Sequence, residues 1–297
     1  MFSLILPDLA LIALGFALSR TMKWGSDLWP GIEKLVYHVL FPALLFHAIV
    51  HNPASWAPTR DLVAAVLIVV AASVGSALVA RRLLDADPLR HASAAQCGYR
   101  FNSYIMLALA QRFGGAEGVA LCALCIGVAV PVVNFVAVHS LARHHRRHPL
   151  KEWLTNPLIL ATVGGLVFAG FDLLPPAPVD ALLSRIGSAA LALGLMSVGA
   201  GLRLGGLGTD RPLLAWVAGT KLLLAPAVAV LAGRWLGLAP PAMAALMVFA
   251  VVPPSAASYV LATRMGGDGP FVAATLTLTT LASVATMPLW LGPFVAR

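Results

Sequence analysis

The stretch YRFNSYIMLALAQRFGG, residues 99–115, places a permanent cation, Arg100, and an amide, Asn102, at the head of an apolar run. Arginine does not lose its proton in a protein, and a charge at the centre of a bilayer costs at least about 2.5–3.5 kcal/mol. Whether this run lies in lipid or in water therefore decides the fold. Composition answers in favour of lipid. Of the 297 residues, 60% are hydrophobic and 11% charged, and the mean hydropathy is +0.88. Soluble domains carry about 25% charged residues. A bilayer core about 30 Å thick takes about 20 apolar residues per helix, so a chain of this length holds about ten spans with short loops.

Working outward from residue 100, the expected spans are 3–20, 31–51, 61–81, 92–112, 117–141, 153–171, 183–203, 212–234, 241–264 and 269–293. Turn and breaker residues punctuate them: Trp29-Pro30-Gly31, Asn52-Pro53, Asp87-Pro88, Gly114-Gly115, Pro175-Pro176, Gly205-Gly206, Pro240-Pro241 and Gly266-Gly267. The runs are continuously apolar rather than alternating, which disfavours a β-barrel and predicts an all-α integral membrane protein. The first run is read as a retained helix and not a cleaved signal, because no basic residue precedes it and Asp8 lies inside it. Cys122 and Cys125 form a C-x-x-C inside an apolar run, where small core residues are the favoured reading over a redox pair.

Charge sets the orientation. If the loop after the first span is cytoplasmic, alternate loops collect thirteen of the twenty Lys and Arg residues: Arg20, Lys23, Lys34, Arg81, Arg82, Arg90, Arg143, Arg146, Arg147, Lys151, Arg203, Arg211 and Arg264. The opposite side holds five: Arg60, Arg112, Arg185, Arg234 and Arg297. This asymmetry puts both termini outside the cytoplasm. The net charge of +8 then reflects topology and membrane lipid, with no nucleic-acid partner. The segment RHHRRHPLK, 143–151, offers a metal or headgroup patch, but a solvated basic loop is the favoured reading. No cofactor and no metal are expected. Two basic residues remain, Arg100 and Lys221, and both fall inside spans.

The halves of the chain resemble each other. Pro7 and Gly15 match Pro157 and Gly165, Arg60 and Arg82 match Arg211 and Arg234, and QRFGG (111–115) matches TRMGG (263–267), at offsets of 150 to 152. A repeat of five spans is odd-numbered, so the second copy is inverted, as in many secondary transporters. The expected organisation is a first repeat over 1–141, a cytoplasmic linker over 142–152 and a second repeat over 153–297. At the same offset Asn102 aligns with Pro254, so YRFNSY (99–104) faces VVPPSAASY (251–259). Consecutive prolines break a helix, and freed backbone groups in lipid are tolerated where they line a cavity or a buried site. A simple proline kink is the alternative; the polar residues at matching depth favour a site.

Arg100 supplies its chemistry. The third and fourth spans hold no acid beyond Asp61 at the edge. An anionic substrate would complete the site, with Arg100 gripping a carboxylate bidentately and Asn102 donating beside it. Lys221 would add a second charge, which suits a dicarboxylate. The alternative is that Arg100 snorkels to the interface. Further candidates are Ser103 in the same segment and Ser255 and Ser258 after the prolines. The two serines either donate to a carboxylate or pack helices. Asn134, three residues after Pro131, either contacts substrate or bonds freed backbone. Tyr104 and Tyr259 either gate the crossing or pack between helices. His47 is either a substrate donor or proton relay, or a hydrogen-bonded interior histidine, the latter preferred. A membrane enzyme acting on a lipid or acyl donor is disfavoured, because the spans show no acid pair or nucleophile–base spacing. An anion channel is disfavoured by the twinned breaks.

FPALLFHAIV (41–50), YRFNSYIMLALAQRFGG (99–115), PVVN (131–134), NPLILATVGG (156–165), ALGLMSVGAGL (192–202) and VVPPSAASYVLATRMGGD (251–268) together resemble the auxin efflux carrier family, which includes plant PIN-type carriers and bacterial permeases for malate and malonate. The resemblance implies ten helices in two inverted repeats, similar to bile-acid transporters. Helices 1, 2, 6 and 7 would form a scaffold. Helices 3–5 and 8–10 would form an elevator-type transport domain in which the broken fourth and ninth helices cross, with Asn102 and Pro253-Pro254 beside the substrate. It further implies a homodimer through the scaffold, a bacterial inner-membrane location, and a small organic anion as cargo: malate, malonate or an auxin-like weak acid. Plant members carry an acid in the third helix; LVAAVLIVVAASVGSALVA (62–80) has none, which argues against coupling through a buried carboxylate there.

Overall fold

The computed structural model describes residues 2–22, 27–51, 56–84, 86–142, 157–202, 210–255 and 257–295. The basic segment 143–151, most of the expected linker, the start of the sixth span and the Asn52-Pro53 and Gly205-Gly206 breakers lie outside them. Every regular element among the described residues is a helix. Helix α1 (Phe2–Thr21) is followed by α2 (Leu28–Leu35), which runs through a π-type turn (Val36–Leu40) into α3 (Phe41–His51). Then come α4 (Trp56–Leu83), α5 (Pro88–Tyr99) and α6 (Ser103–Ala142), the last interrupted at Gly115 with φ 56° and ψ −143°. The second half has α7 (Pro157–Gly170), α8 (Ala177–Gly201), and α9 (Arg211–Gly219), which passes through a π-type turn (Thr220–Leu224) into α10 (Ala225–Trp235). It closes with α11 (Pro240–Val251), α12 (Ala257–Arg264) and α13 (Gly269–Val295).

Among the described residues, six helical stretches are long and apolar enough to cross a bilayer: Leu28–His51, Arg60–Leu83, Pro88–Leu141, Ala177–Gly201, Arg211–Trp235 and Gly269–Phe294. The protein is a multi-pass membrane protein. The prolines act by position. Pro88 and Pro240 sit at the first helical position, where the missing N–H would have had no partner anyway. Pro30 lies in the first turn of α2, so the Trp29-Pro30-Gly31 triplet, expected as a break, opens a helix instead.

Residues divide between two compact units: 1–59, 103–127 and 150–201 in the first, and 60–102, 128–149 and 202–297 in the second. In the first unit α1 packs on α8 through glycine. A Cβ on Gly15 would overlap the Met196 carbonyl, and one on Gly199 would overlap the Ile12 carbonyl. Helix α3 meets α7 and α8 in the same way: a Cβ on Gly165 would sit 3.0 Å from Ile49 Cβ and 3.4 Å from the Phe46 carbonyl, and one on Gly187 3.0 Å from Leu44 Cα. Lipid offers no hydrophobic drive between helices, so close backbone approach through small residues supplies the dispersion contact.

In the second unit α5 is anchored by polar groups. Asp87 caps it, accepting from the Arg90 amide at 2.8 Å, and Arg90 Nε donates to Asp268 Oδ2 at 2.8 Å. The Asp268 amide donates to Ser93 Oγ at 2.9 Å, and Asp268 caps α13 through the Phe271 amide at 3.0 Å. One aspartate therefore fixes the start of α13 against the first turn of α5. Helix α4 joins through His91 and the Ala77 carbonyl at 2.8 Å, and through Ser76, which shares a 2.7 Å hydrogen bond with Thr220. Buried Thr275, Thr277 and Thr279 return their hydroxyls to carbonyls of their own helix, so none is stranded in an apolar interior.

Candidate functional site

Helix α5 stops at Tyr99, and Arg100 adopts an extended backbone (φ −78°, ψ 158°). Helix does not resume until Ser103. Helix α11 stops at Val251, Val252 is likewise extended (φ −67°, ψ 144°), and α12 starts at Ala257. The two breaks touch: the Asn102 amide donates to the Pro253 carbonyl at 2.8 Å. Phe101 closes the apolar side of this contact, its ring 4.8 Å from that of Phe249 in an edge-on arrangement. Residues 100–102, 253 and 254 are all buried.

Arg100 is 7% exposed and is not extended into solvent from its helix end. Its guanidinium donates to Asn134 Oδ1 on α6. Asn134 is neutral, so it orients the guanidinium without cancelling its charge. Of the two sequence alternatives for Asn134, backbone repair or substrate contact, the structure adds a third: it holds the arginine. Lys221 is 2% exposed and lies in the π-type turn after α9. Its neighbour Thr220 packs on Gly98, two residues before Arg100, with a Gly98 Cβ position 3.4 Å from the Thr220 methyl.

The serines divide. Ser255 Oγ accepts from the Ala257 amide at 3.2 Å and so caps α12. Ser258 is fully buried, and its carbonyl accepts from Gln96 Nε2 at 3.1 Å. Gln96, which the sequence did not flag, thus ties α5 to α12 one turn from Arg100. Its spacing of four from Arg100 was the available signal. Tyr259 packs beside a buried cluster containing Ala94, Cys97, Leu213 and Phe271.

The remaining candidates belong to the first unit. Ser103 opens α6, and Tyr104 packs on Phe41 (ring centroids 4.7 Å) and against Gly194. His47 is half-buried beside His51 and Asp180, its Nε2 3.4 Å from Asp180 Oδ1. Arg100, Asn102, Asn134 and Pro253, which the structure brings together, all belong to the second unit.

Chemically, the second-unit cluster offers a planar, permanently charged donor held by a neutral amide at two helix breaks. Such a group matches a carboxylate in shape and charge. The end of α11 and the start of α12 also present backbone groups that a continuous helix would have consumed.

Comparison with known proteins matches residues 106–291 to the family described as Membrane transport protein. A protein of Rhizobium meliloti (strain 1021) named "Putative malonate transporter" is 25% identical over 312 aligned residues, spanning 96% of this chain and 92% of the relative.

Proposed function

The chain belongs to the Membrane transport protein family, and from that premise we propose that this membrane transporter is a secondary carrier of small organic anions, with a dicarboxylate of the malonate or malate class as cargo. The observation that carries the proposal is Arg100: a buried cation in an extended segment, oriented by Asn134 and joined through Asn102 to the Pro253 carbonyl. The relative's name points to the same class of cargo.

The architecture proposed with it is ten spans in two inverted repeats. The 54-residue stretch Pro88–Leu141 would be about 80 Å long as one straight helix, against a hydrocarbon core of about 30 Å, so it suits two crossings parted near Gly115. Helices α5 and α11 are both 12 residues, both begin with proline, and both end in an extended break, 152 positions apart. Gly15 against the Met196 carbonyl has its counterpart, 150 positions on, in Gly165 against the Phe46 carbonyl. These correspondences support the repeat. The mechanism we propose is alternating access of elevator type, with helices 1, 2, 6 and 7 of the ten as scaffold and the others as transport domain. A homodimer through the scaffold, a bacterial inner-membrane location and termini facing away from the cytoplasm belong to the same proposal.

The test is a panel of mono- and dicarboxylates at several pH values, read as ligand-induced thermal shift of purified protein and as uptake into proteoliposomes. Saturable uptake with counterflow and loss of binding in Arg100→Gln are expected. Unchanged carboxylate affinity in a folded Arg100→Gln protein would sink the anion site.

A further inference from the structure

We propose that His47, His51 and Asp180 form a binding site for a divalent transition ion of the zinc type. The site lies wholly in the first unit and is independent of the carboxylate site around Arg100. Its donors come from two helices. His47 and His51 are four residues apart on α3, hence on one face, and their ring centroids lie 4.6 Å apart. Asp180 is in the first turn of α8. Both Nε2 atoms converge on the same oxygen: His51 at 2.8 Å and His47 at 3.4 Å from Asp180 Oδ1. One ligand atom from each residue falls within 4.8 Å of the others.

The two separations to Asp180 Oδ1 are close to what a tetrahedral ion needs. Zinc bonds to imidazole nitrogen and carboxylate oxygen of about 2.0–2.2 Å place neighbouring donors about 3.3 Å apart. The His47–Asp180 separation already has this value, and the His51–Asp180 hydrogen bond would open slightly as the ion replaced its proton. Two imidazoles and one carboxylate select zinc, nickel, cobalt or copper over magnesium and calcium, which prefer all-oxygen sites. The three side chains are 27%, 35% and 28% exposed, so an ion can reach them and a water can fill the fourth position. The backbone is set independently of any ion. The Asp180 amide donates to the Pro176 carbonyl at 3.0 Å, and α3 is packed on α8 through Gly187 and Leu44. An ion here would clip the end of α3 to the start of α8.

The experiment uses the full chain, purified without a histidine tag. Zinc chloride is titrated by calorimetry, and cobalt chloride is followed by visible absorption, which reports the coordination geometry. A separate variant changes His144, His145 and His148 to glutamine, because the basic segment holds three of the chain's eight histidines close together in sequence. One zinc per chain is expected in the wild type and in the basic-segment variant, with tetrahedral cobalt bands in both. Affinity should fall at least about tenfold in His51→Gln and in Asp180→Asn, and the zinc-induced rise in Tm should shrink with it. Two variants on different helices guard against misfolding of either. Absence of a stoichiometric zinc site in the wild type, its loss in the basic-segment variant, or unchanged affinity in folded His51→Gln or Asp180→Asn would each overturn the proposal.

Discussion

Replacing Asn134 with aspartate changes one atom type and tests the charge logic of the site directly. Asn134 accepts a hydrogen bond from the Arg100 guanidinium, and Asn134→Asp keeps the shape while supplying a carboxylate. Two unit charges about 4 Å apart at an effective dielectric of about 20 attract by about 4 kcal/mol. Burying the new carboxylate costs several kcal/mol, so the two effects nearly offset and the fold should survive. Binding should not. A substrate carboxylate would meet an arginine already neutralised, forfeiting a charge-assisted hydrogen bond of about 1.5–3 kcal/mol. That corresponds to affinity about ten- to a hundredfold weaker. Asn134→Ala is the comparison. It releases the guanidinium from its orienting acceptor but leaves the charge, so its loss should be the smaller of the two. Malonate and malate titrations on detergent-purified protein, with unliganded Tm as the folding check, give the order. Wild-type affinity in Asn134→Asp, or a larger loss in Asn134→Ala, would refute the reasoning.

Four further outcomes are expected. Replacing Pro253 and Pro254 together with alanine should restore helical hydrogen bonding across the second break and lower proteoliposome uptake at equal protein content; unchanged uptake would reduce the prolines to packing. Lys221→Gln should weaken dicarboxylates more than monocarboxylates in competition binding if the buried amine takes the second carboxylate, as proposed. Gly199→Ala forces a Cβ onto the Ile12 carbonyl and should cost about 1–3 kcal/mol, read as a lower Tm in detergent. Single cysteines in intact cells should label from outside at Ala177→Cys and not at Arg147→Cys, and the reverse pattern would invert the topology.

What the sequence disclosed depended on range. Composition and continuous apolar runs announced a helical membrane protein, since lipid admits no other reading of such runs. Pro88 and Pro240, expected as breakers between spans, do follow a break but also open the next helix, because a first helical position needs no amide donor. The same holds for Pro30, which lies inside the first turn of α2. Long-range pairings were invisible. The His47–His51 spacing can be read from the chain, but nothing in it announces that Asp180, on a helix in the other half, meets both rings. Arg100 stood out as a cation left over from the topology count, yet its partner Asn134 could not be assigned, because that depends on how α6 returns past its interruption at Gly115.

The break at Arg100 is the harder case, and it depends on the second break that it touches. Residues 100–102 contain neither proline nor glycine, so local propensity offers no reason for the helix to stop there. Residues 253 and 254 offer a strong one: two consecutive residues without amide protons. In a continuous helix the Pro253 carbonyl would accept from the amide four residues on; with the helix broken it turns to the Asn102 amide instead. The Asn102 amide, at an end where helical partners are missing, would otherwise lack that acceptor, and such a group in an apolar interior costs several kcal/mol. Each break therefore supplies what the other lacks. The prolines specify the second break directly and help to specify the first by pairing, so their replacement should shift Arg100 through the Asn102–Pro253 hydrogen bond. Measured in the same preparation, the double alanine variant should lose carboxylate affinity as well as uptake. Retained affinity with lost uptake would separate the hinge from the binding site and show that the second break does not position Arg100.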